Sequence, residues 1–223
     1  IVYQASGGNV FDIIEFLRYL IGENYLTRSP NKWVLPNNIE RIEFPQKQEQ
    51  RIQSRLEKID DSYLAIAAAA AILDNIIELK TWLEIADVAE QEFFHAIDEL
   101  VKNQIVIKIN GHYQFSHYKL KEAVYENTPP ERLRKYHLTR AEKLVQMQGR
   151  SNLSKIARHY FLARNYNQGI DYSIQAAKEA EQQNAEQQAF KHYKNASELL
   201  KEKEDYPRRK ELLGQAGYAF DVV

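Results

Sequence analysis

Apolar residues recur at helical spacing through most of this chain, and the exceptions mark its organisation. Phe11, Ile14, Leu17 and Leu20 predict a helix after Ser6-Gly7-Gly8-Asn9. Residues 31–36 read as a short extended link. Pro45 suits the first turn of a further helix, and Ile52, Leu56 and Ile59 continue its apolar face. From Asp60 the pattern changes. Residues 64–73 predict a buried helix, 79–86 a second, and 92–101 a third with Phe93, Ile97 and Leu100 in phase. Ile105, Ile107 and Ile109 then alternate, as do Tyr113 and Phe115 beyond Asn110-Gly111. Asn-Gly between alternating apolar runs predicts a β-hairpin. Three helices followed by one hairpin is the layout of a winged helix.

Pro129-Pro130 mark a boundary, and the chain beyond them reads helical. Helices are predicted over 133–147, 153–164, 168–182, 185–201 and 207–220. Their short links favour antiparallel neighbours. Leu153, Ile156, Ala157, Tyr160, Gly169 and Ala176 fall at tetratricopeptide offsets. Ser173 stands where that pattern has a large aromatic residue. Ala189, Tyr193 and Ala196 repeat the second half of the unit. The expected fold is therefore mainly α. A helical segment over 1–59 precedes a winged helix over 60–128. Tetratricopeptide-like helical hairpins over 129–223 follow, as the start of a longer array.

Composition narrows the chemistry. Hydrophobic residues make up 44% of the 223 and charged residues 27%, as in ordinary globular proteins. The net charge of −1 offers no general attraction to nucleic acid or membrane. No apolar run is long enough to span a bilayer. With no cysteine, disulfides, thiol catalysis and cysteine-ligated zinc are excluded. The chain begins at Ile1 without a signal-peptide pattern, and is read as a piece of a longer, cytoplasmic protein.

No G-x-x-x-x-G-K-[ST] phosphate loop and no G-x-G-x-x-G fingerprint occurs. The histidines (His95, His112, His117, His137, His159, His192) show no metal-ligand spacing. Glu122 and Glu126 lie four apart, and without a nucleophile they read as a solvated helix face. The chain is thus not expected to be an enzyme by itself. Between Asp60 and Glu126, twelve carboxylates face five lysines and no arginine. The helix a winged module would offer to DNA carries Glu92, Asp98 and Glu99 against Lys102. DNA affinity depends on neutralising phosphates, so DNA binding is not expected. Arg132, Arg134, Lys135 and Arg140 form either a solvated basic face or a contact to an acidic neighbour such as the winged helix. Phe161, Tyr166 and Tyr172 belong either to the core or to a peptide groove.

Phe115-Ser116-His117 sits where the second hairpin strand runs into a helix. A helix N-terminus attracts anions, and a histidine there either donates to a phosphate or is a structural hydrogen-bond donor at the helix start of an ordinary turn. Several segments together resemble a known family. Ser6-Gly7-Gly8-Asn9-Val10-Phe11, with Glu15, Leu17 and Leu20 after it, resembles the G-N-P-hydrophobic segment that opens the lid of STAND-type signal-transduction ATPases, relatives of AAA+ and NB-ARC proteins. Phe115 and His117 with Leu120, Ala123 and Tyr125 resemble the signature of that family's winged helix. Arg132, Arg134 and His137 resemble the helix trailing it. Val10 replaces the usual proline, and Tyr118 replaces the aspartate of the related M-H-D motif.

The resemblance implies an upstream ATPase core that binds ATP or ADP, with lid and winged helix closing over the nucleotide. It implies His117 as phosphate sensor, with Gly8 and Asn9 in the lid as nucleotide contacts. ATP or ADP would bind only with that core, not to this chain alone. The repeats would sense a protein partner or inducer. Two alternatives stay open: a nucleotide-independent protein-interaction scaffold, and a DNA-binding winged-helix regulator.

Overall fold

The computed structural model describes residues 13–14, 16–17, 20–21, 25–29, 32–34, 48–147 and 153–216. It is mainly helical, with short two-stranded hairpins. The chain divides into two compact units, Ile1–Lys58 and Ile59–Val223.

In the first unit, residues 13–14, 16–17 and 20–21 are helical. The buried row differs from the expected stripe. Phe16 and Leu20, four apart, are buried, whereas Ile14, Leu17 and Ile21 are exposed. Leu20 belongs to both rows, and the i, i+4 pair selects the face. The expected link over 31–36 is also corrected. β1 (Thr27–Ser29) pairs antiparallel with β2 (Lys32–Val34), placing Arg28 opposite Trp33. Two residues separate these strands, the commonest hairpin loop length. A helix α1 (Gln48–Leu56) follows, with Ile52 and Leu56 buried. Gly8, Asn9 and Pro45 lie outside the described residues.

The second unit opens with α2 (Asp61–Ala71). Asp60 caps it, its carboxylate accepting from the Ser62 amide at 2.8 Å. Ala67 to Ala71 are all buried. Their small side chains let α2 run through the middle of the module, against α3 (Leu79–Ala86) and α4 (Glu90–Lys102). Trp82 on α3 is fully buried and donates its indole N–H to the Ile66 carbonyl at 2.7 Å. Phe93 meets it edge-on at 5.2 Å.

β3 (Val106–Ile109) and β4 (His112–Phe115) then pair, with Ile109 opposite His112. Asn110 and Gly111 both have positive φ, 51° and 83°. That is the primed turn which matches strand twist, and asparagine and glycine tolerate it best. Ile77 bridges to Tyr113 and gives the hairpin a third backbone neighbour. α5 (Tyr118–Glu126) returns across α2. α6 (Pro130–Gln146) begins with proline in its first turn, where a missing N–H costs least.

α7 (Leu153–Leu162), α8 (Tyr166–Gln182), α9 (Glu186–Glu202) and α10 (Tyr206–Gln215) pack in sequence. One turn is used three times at a spacing of twenty residues. Arg164, Asn184 and Glu204 take positive φ of 53°, 53° and 60°. After each, an amide bonds back five residues: Asn165 to Tyr160, Ala185 to Ala180 and Asp205 to Leu200. This is the left-handed helix ending that satisfies orphan carbonyls. Gly169 allows the close approach of neighbouring helices. A Cβ there would meet Leu199 Cδ1 at 2.6 Å.

The three turns differ in their caps. Asn165 and Asp205 accept from the Gln168 and Arg208 amides, each at 3.2 Å. Ala185 has a backbone conformation close to that of Asp205 but supplies no side-chain cap. Replacing Ala185 with asparagine should therefore stabilise the chain by about 1 kcal/mol. Urea unfolding reads this directly, and an unchanged midpoint would refute the capping argument.

Candidate functional site

His117 ends the hairpin in extended conformation (φ −153°, ψ 144°) and is the N-cap of α5. Ser116 anchors it to the module, its amide donating to Ile105 O at 3.0 Å and its hydroxyl to Gln104 O. The His117 imidazole accepts the Lys119 amide through Nδ1 at 3.2 Å. At this bond it is therefore an acceptor, because a helix start exposes N–H groups that need one. In the neutral ring the proton then resides on Nε2. A hollow of about 340 Å³ lies beside it, lined by Asn75, Gln114, Phe115, Ser116, Tyr118 and Lys121.

Tyr118 and Lys121 also line a larger open groove of about 970 Å³. Its walls come from α5, α7 and α9, with Ile72 and the start of α6's buried face behind. Tyr125, Phe161 and Leu162 give it an apolar side. Lys121, Lys155, Arg158 and Lys191 give it a basic one, against Glu122 and Glu126. Glu122 is held by Lys119 at 2.6 Å on an exposed helix face. Lys121 reaches the Leu73 carbonyl at 2.6 Å, and burial lowers its pKa.

Behind the groove runs a buried chain of hydrogen bonds. Tyr125 Oη lies 3.0 Å from His137 Nε2, and His137 Nδ1 lies 2.8 Å from His159 Nδ1. Two Nδ1 atoms can bond only if one carries the proton and the other does not. Burial holds both rings neutral, lowering His137 to about 4 and His159 to about 3, with Arg158 adding to the effect on each. The residues are 22 positions apart. Their meeting has no local signature in the sequence.

Comparison with family models, curated proteins and solved structures finds no match to this chain. The site therefore has to be read from its own chemistry.

The basic residues after Pro130 contact an acidic neighbour. Lys135 pairs with Asp87 at 2.9 Å, Lys143 with Glu84 at 3.2 Å, and Lys155 with Asp74 at 2.7 Å. Lys155 holds Asp74 below its usual pKa. Arg140 is half-buried near Asp74, Glu78 and Glu84. Tyr136 adds a hydrogen bond to Ala65 O at 3.1 Å. Part of the carboxylate excess of 60–126 is thus used within the unit. Individually such surface pairs contribute little; here they accompany a packed, hydrogen-bonded contact. On α4, Glu90, Glu92 and Asp98 remain exposed.

Aromatic residues split between roles. Phe161 lines the groove, whereas Tyr172 stacks on Tyr160 at 5.3 Å beside a buried cluster. Among the described residues no group of three or more potential ligands could hold a metal ion. No described helix is long and apolar enough to cross a membrane.

Proposed function

We propose that this chain is the regulatory region of a STAND-type ATP/ADP-dependent signalling switch. Its helical hairpins, read as tetratricopeptide-like, sense a protein partner in the cytoplasm. They pass that event through the winged helix to an ATPase core. Such a switch works when nucleotide prefers one arrangement of the parts over another. The observation that carries this reading is the fixed position of His117. Its backbone is anchored through Ser116, its tautomer is set by the Lys119 amide, and a hollow lies beside it. An Nε2–H held at a helix N-terminus suits a phosphate oxygen supplied by another domain.

The test uses a chain that includes the ATPase core and measures ADP affinity. His117→Asp retains a good N-cap but places a negative charge against phosphate. ADP binding should weaken by about tenfold or more, with little change in thermal stability. Unchanged ADP affinity would remove His117 from the mechanism. Loss of both stability and affinity would reduce it to a cap.

The groove of about 970 Å³ favours a second reading, a nucleotide-independent interaction scaffold. ADP binding that is insensitive to both His117 and the winged helix would leave that one standing. DNA binding remains the least supported reading, because the exposed face of α4 carries Glu90, Glu92 and Asp98.

A further inference from the structure

The groove holds charges and hydrogen-bonding groups that the fold leaves unused. Lys121 and Lys155 are engaged, with the Leu73 carbonyl and with Asp74. Arg158 and Lys191 are different. Both are exposed, both line the groove, and neither forms an ion pair among the described residues. The positive charge of Arg158 is felt by Lys121, Tyr125, His137 and His159, so it acts on the interior of the groove.

A second observation lies on the same wall. His192 is only 7% exposed and lines the groove. Its Nε2 is 3.0 Å from Ser154 Oγ, while its Nδ1 is buried without a partner. Burial, with Lys191 nearby, keeps the ring neutral. If the Ser154 hydroxyl donates to Nε2, the Nδ1 proton is a donor with no acceptor. A buried group left in that state is unfavourable and rare. Ser154 and Arg158 are four apart on α7, and His192 and Asn195 are three apart on α9, so each pair shares a helix face.

We propose that this groove binds a small phosphate monoester, with the phosphoryl group against Arg158 and Lys191 and with the Nδ1–H of His192 as a neutral donor, its Nε2 held by the Ser154 hydroxyl. A phosphate monoester carries nearly two negative charges and three terminal oxygens. Two uncommitted cations and one neutral donor match that group better than they match a single carboxylate. Tyr125 and Phe161 then take the apolar part of the ligand. The volume lies within the range of small-molecule sites. Glu122 is tied to Lys119 on α5, which leaves the α7 and α9 side as the anion end. This inference does not rest on the nucleotide-switch reading, since it uses this chain alone.

The experiment titrates phenyl phosphate into the full 223-residue chain at low salt by calorimetry. In parallel it follows the His192 imidazole by nitrogen-15 NMR. Saturable binding is expected, tighter than for inorganic phosphate, with a shift of the His192 Nδ1 resonance. Arg158→Gln and Lys191→Gln should each weaken it about tenfold. Both side chains are exposed, so melting curves should not move. Absence of saturable binding at millimolar phenyl phosphate would overturn the proposal. So would unchanged affinity in Arg158→Gln. An unphosphorylated glutamate-rich peptide that displaces phenyl phosphate at lower concentration would also overturn it, in favour of a peptide-docking groove.

Discussion

Trp82→Ala should lower the unfolding free energy of the Ile59–Val223 unit by about 4 kcal/mol. Removing a buried tryptophan typically costs about 3–5 kcal/mol through lost transfer energy and the cavity left behind. Trp82 meets every condition for a large loss. It is fully buried, and it packs edge-on against Phe93 at 5.2 Å and Tyr113 at 6.1 Å. Its indole N–H also occupies the Ile66 carbonyl. Alanine would leave that buried acceptor with one partner fewer. Little around it can collapse inward, because α2, which packs against α3, presents alanines over 67–71 that are already buried. A loss of that size is a large share of the roughly 5–15 kcal/mol available to a typical domain. Trp82→Phe should cost less, because the ring is kept and only the hydrogen bond and some volume are lost. Urea denaturation followed by circular dichroism measures both. A Trp82→Ala loss below about 1 kcal/mol would show that α3 is not a cornerstone of the unit.

Acid should destabilise the same unit as pH falls below 6.5. His137 and His159 have folded pKa values of about 4 and about 3, against 6.5 for an unperturbed histidine. The unfolded chain therefore binds more protons than the folded one between these values. Stability then rises with pH, by linkage. The contribution is complete above 6.5 and is lost as pH falls through the window from 6.5 toward 4 and then 3. Each pKa unit corresponds to about 1.4 kcal/mol, so the pair together should cost on the order of several kcal/mol. Asp74, already held below 3.8, loses its own contribution only at the acidic end of this range. His159→Gln separates the two. It should lower stability at neutral pH, since it disturbs the 2.8 Å bond to His137. It should also flatten the dependence between about pH 6.5 and pH 4. An unchanged slope would mean that the buried imidazoles do not govern the acid response.

The two predictions draw on different kinds of information. Trp82 belongs to a helix whose bounds, Leu79–Ala86, coincide with the stretch its apolar spacing predicts. The Asn110-Gly111 turn is equally local, because positive φ at two successive residues is a property of those residues. Pro130 in the first turn of α6 follows from the missing proline N–H. Sequence reading erred where tertiary contacts choose among local options. Phe16 and Leu20 are the buried row, and the alternative row through Ile14 and Leu17 is exposed. β1 and β2 are three residues each, too short to show alternation, and only their pairing makes them strands. The twenty-residue recurrence of one turn was hidden because Arg164, Asn184 and Glu204 share a conformation but no side-chain chemistry.

The candidate site divides along the same line. By itself the sequence determined the helical and hairpin elements and the place of His117 at the hairpin-to-helix junction. These depend on periodicity and backbone preference within a few residues. That His117 accepts at its helix start is local too, because the Lys119 amide is two residues away. Only the tertiary structure decided the distant contacts. It alone brought His137 onto His159, 22 residues away, and Ser154 onto His192, 38 residues away. Helix packing sets such contacts, and the angle and offset of two packed helices are summed over many side chains. No single motif encodes that sum, so the groove and its unpaired histidine nitrogen could be found only in the folded chain.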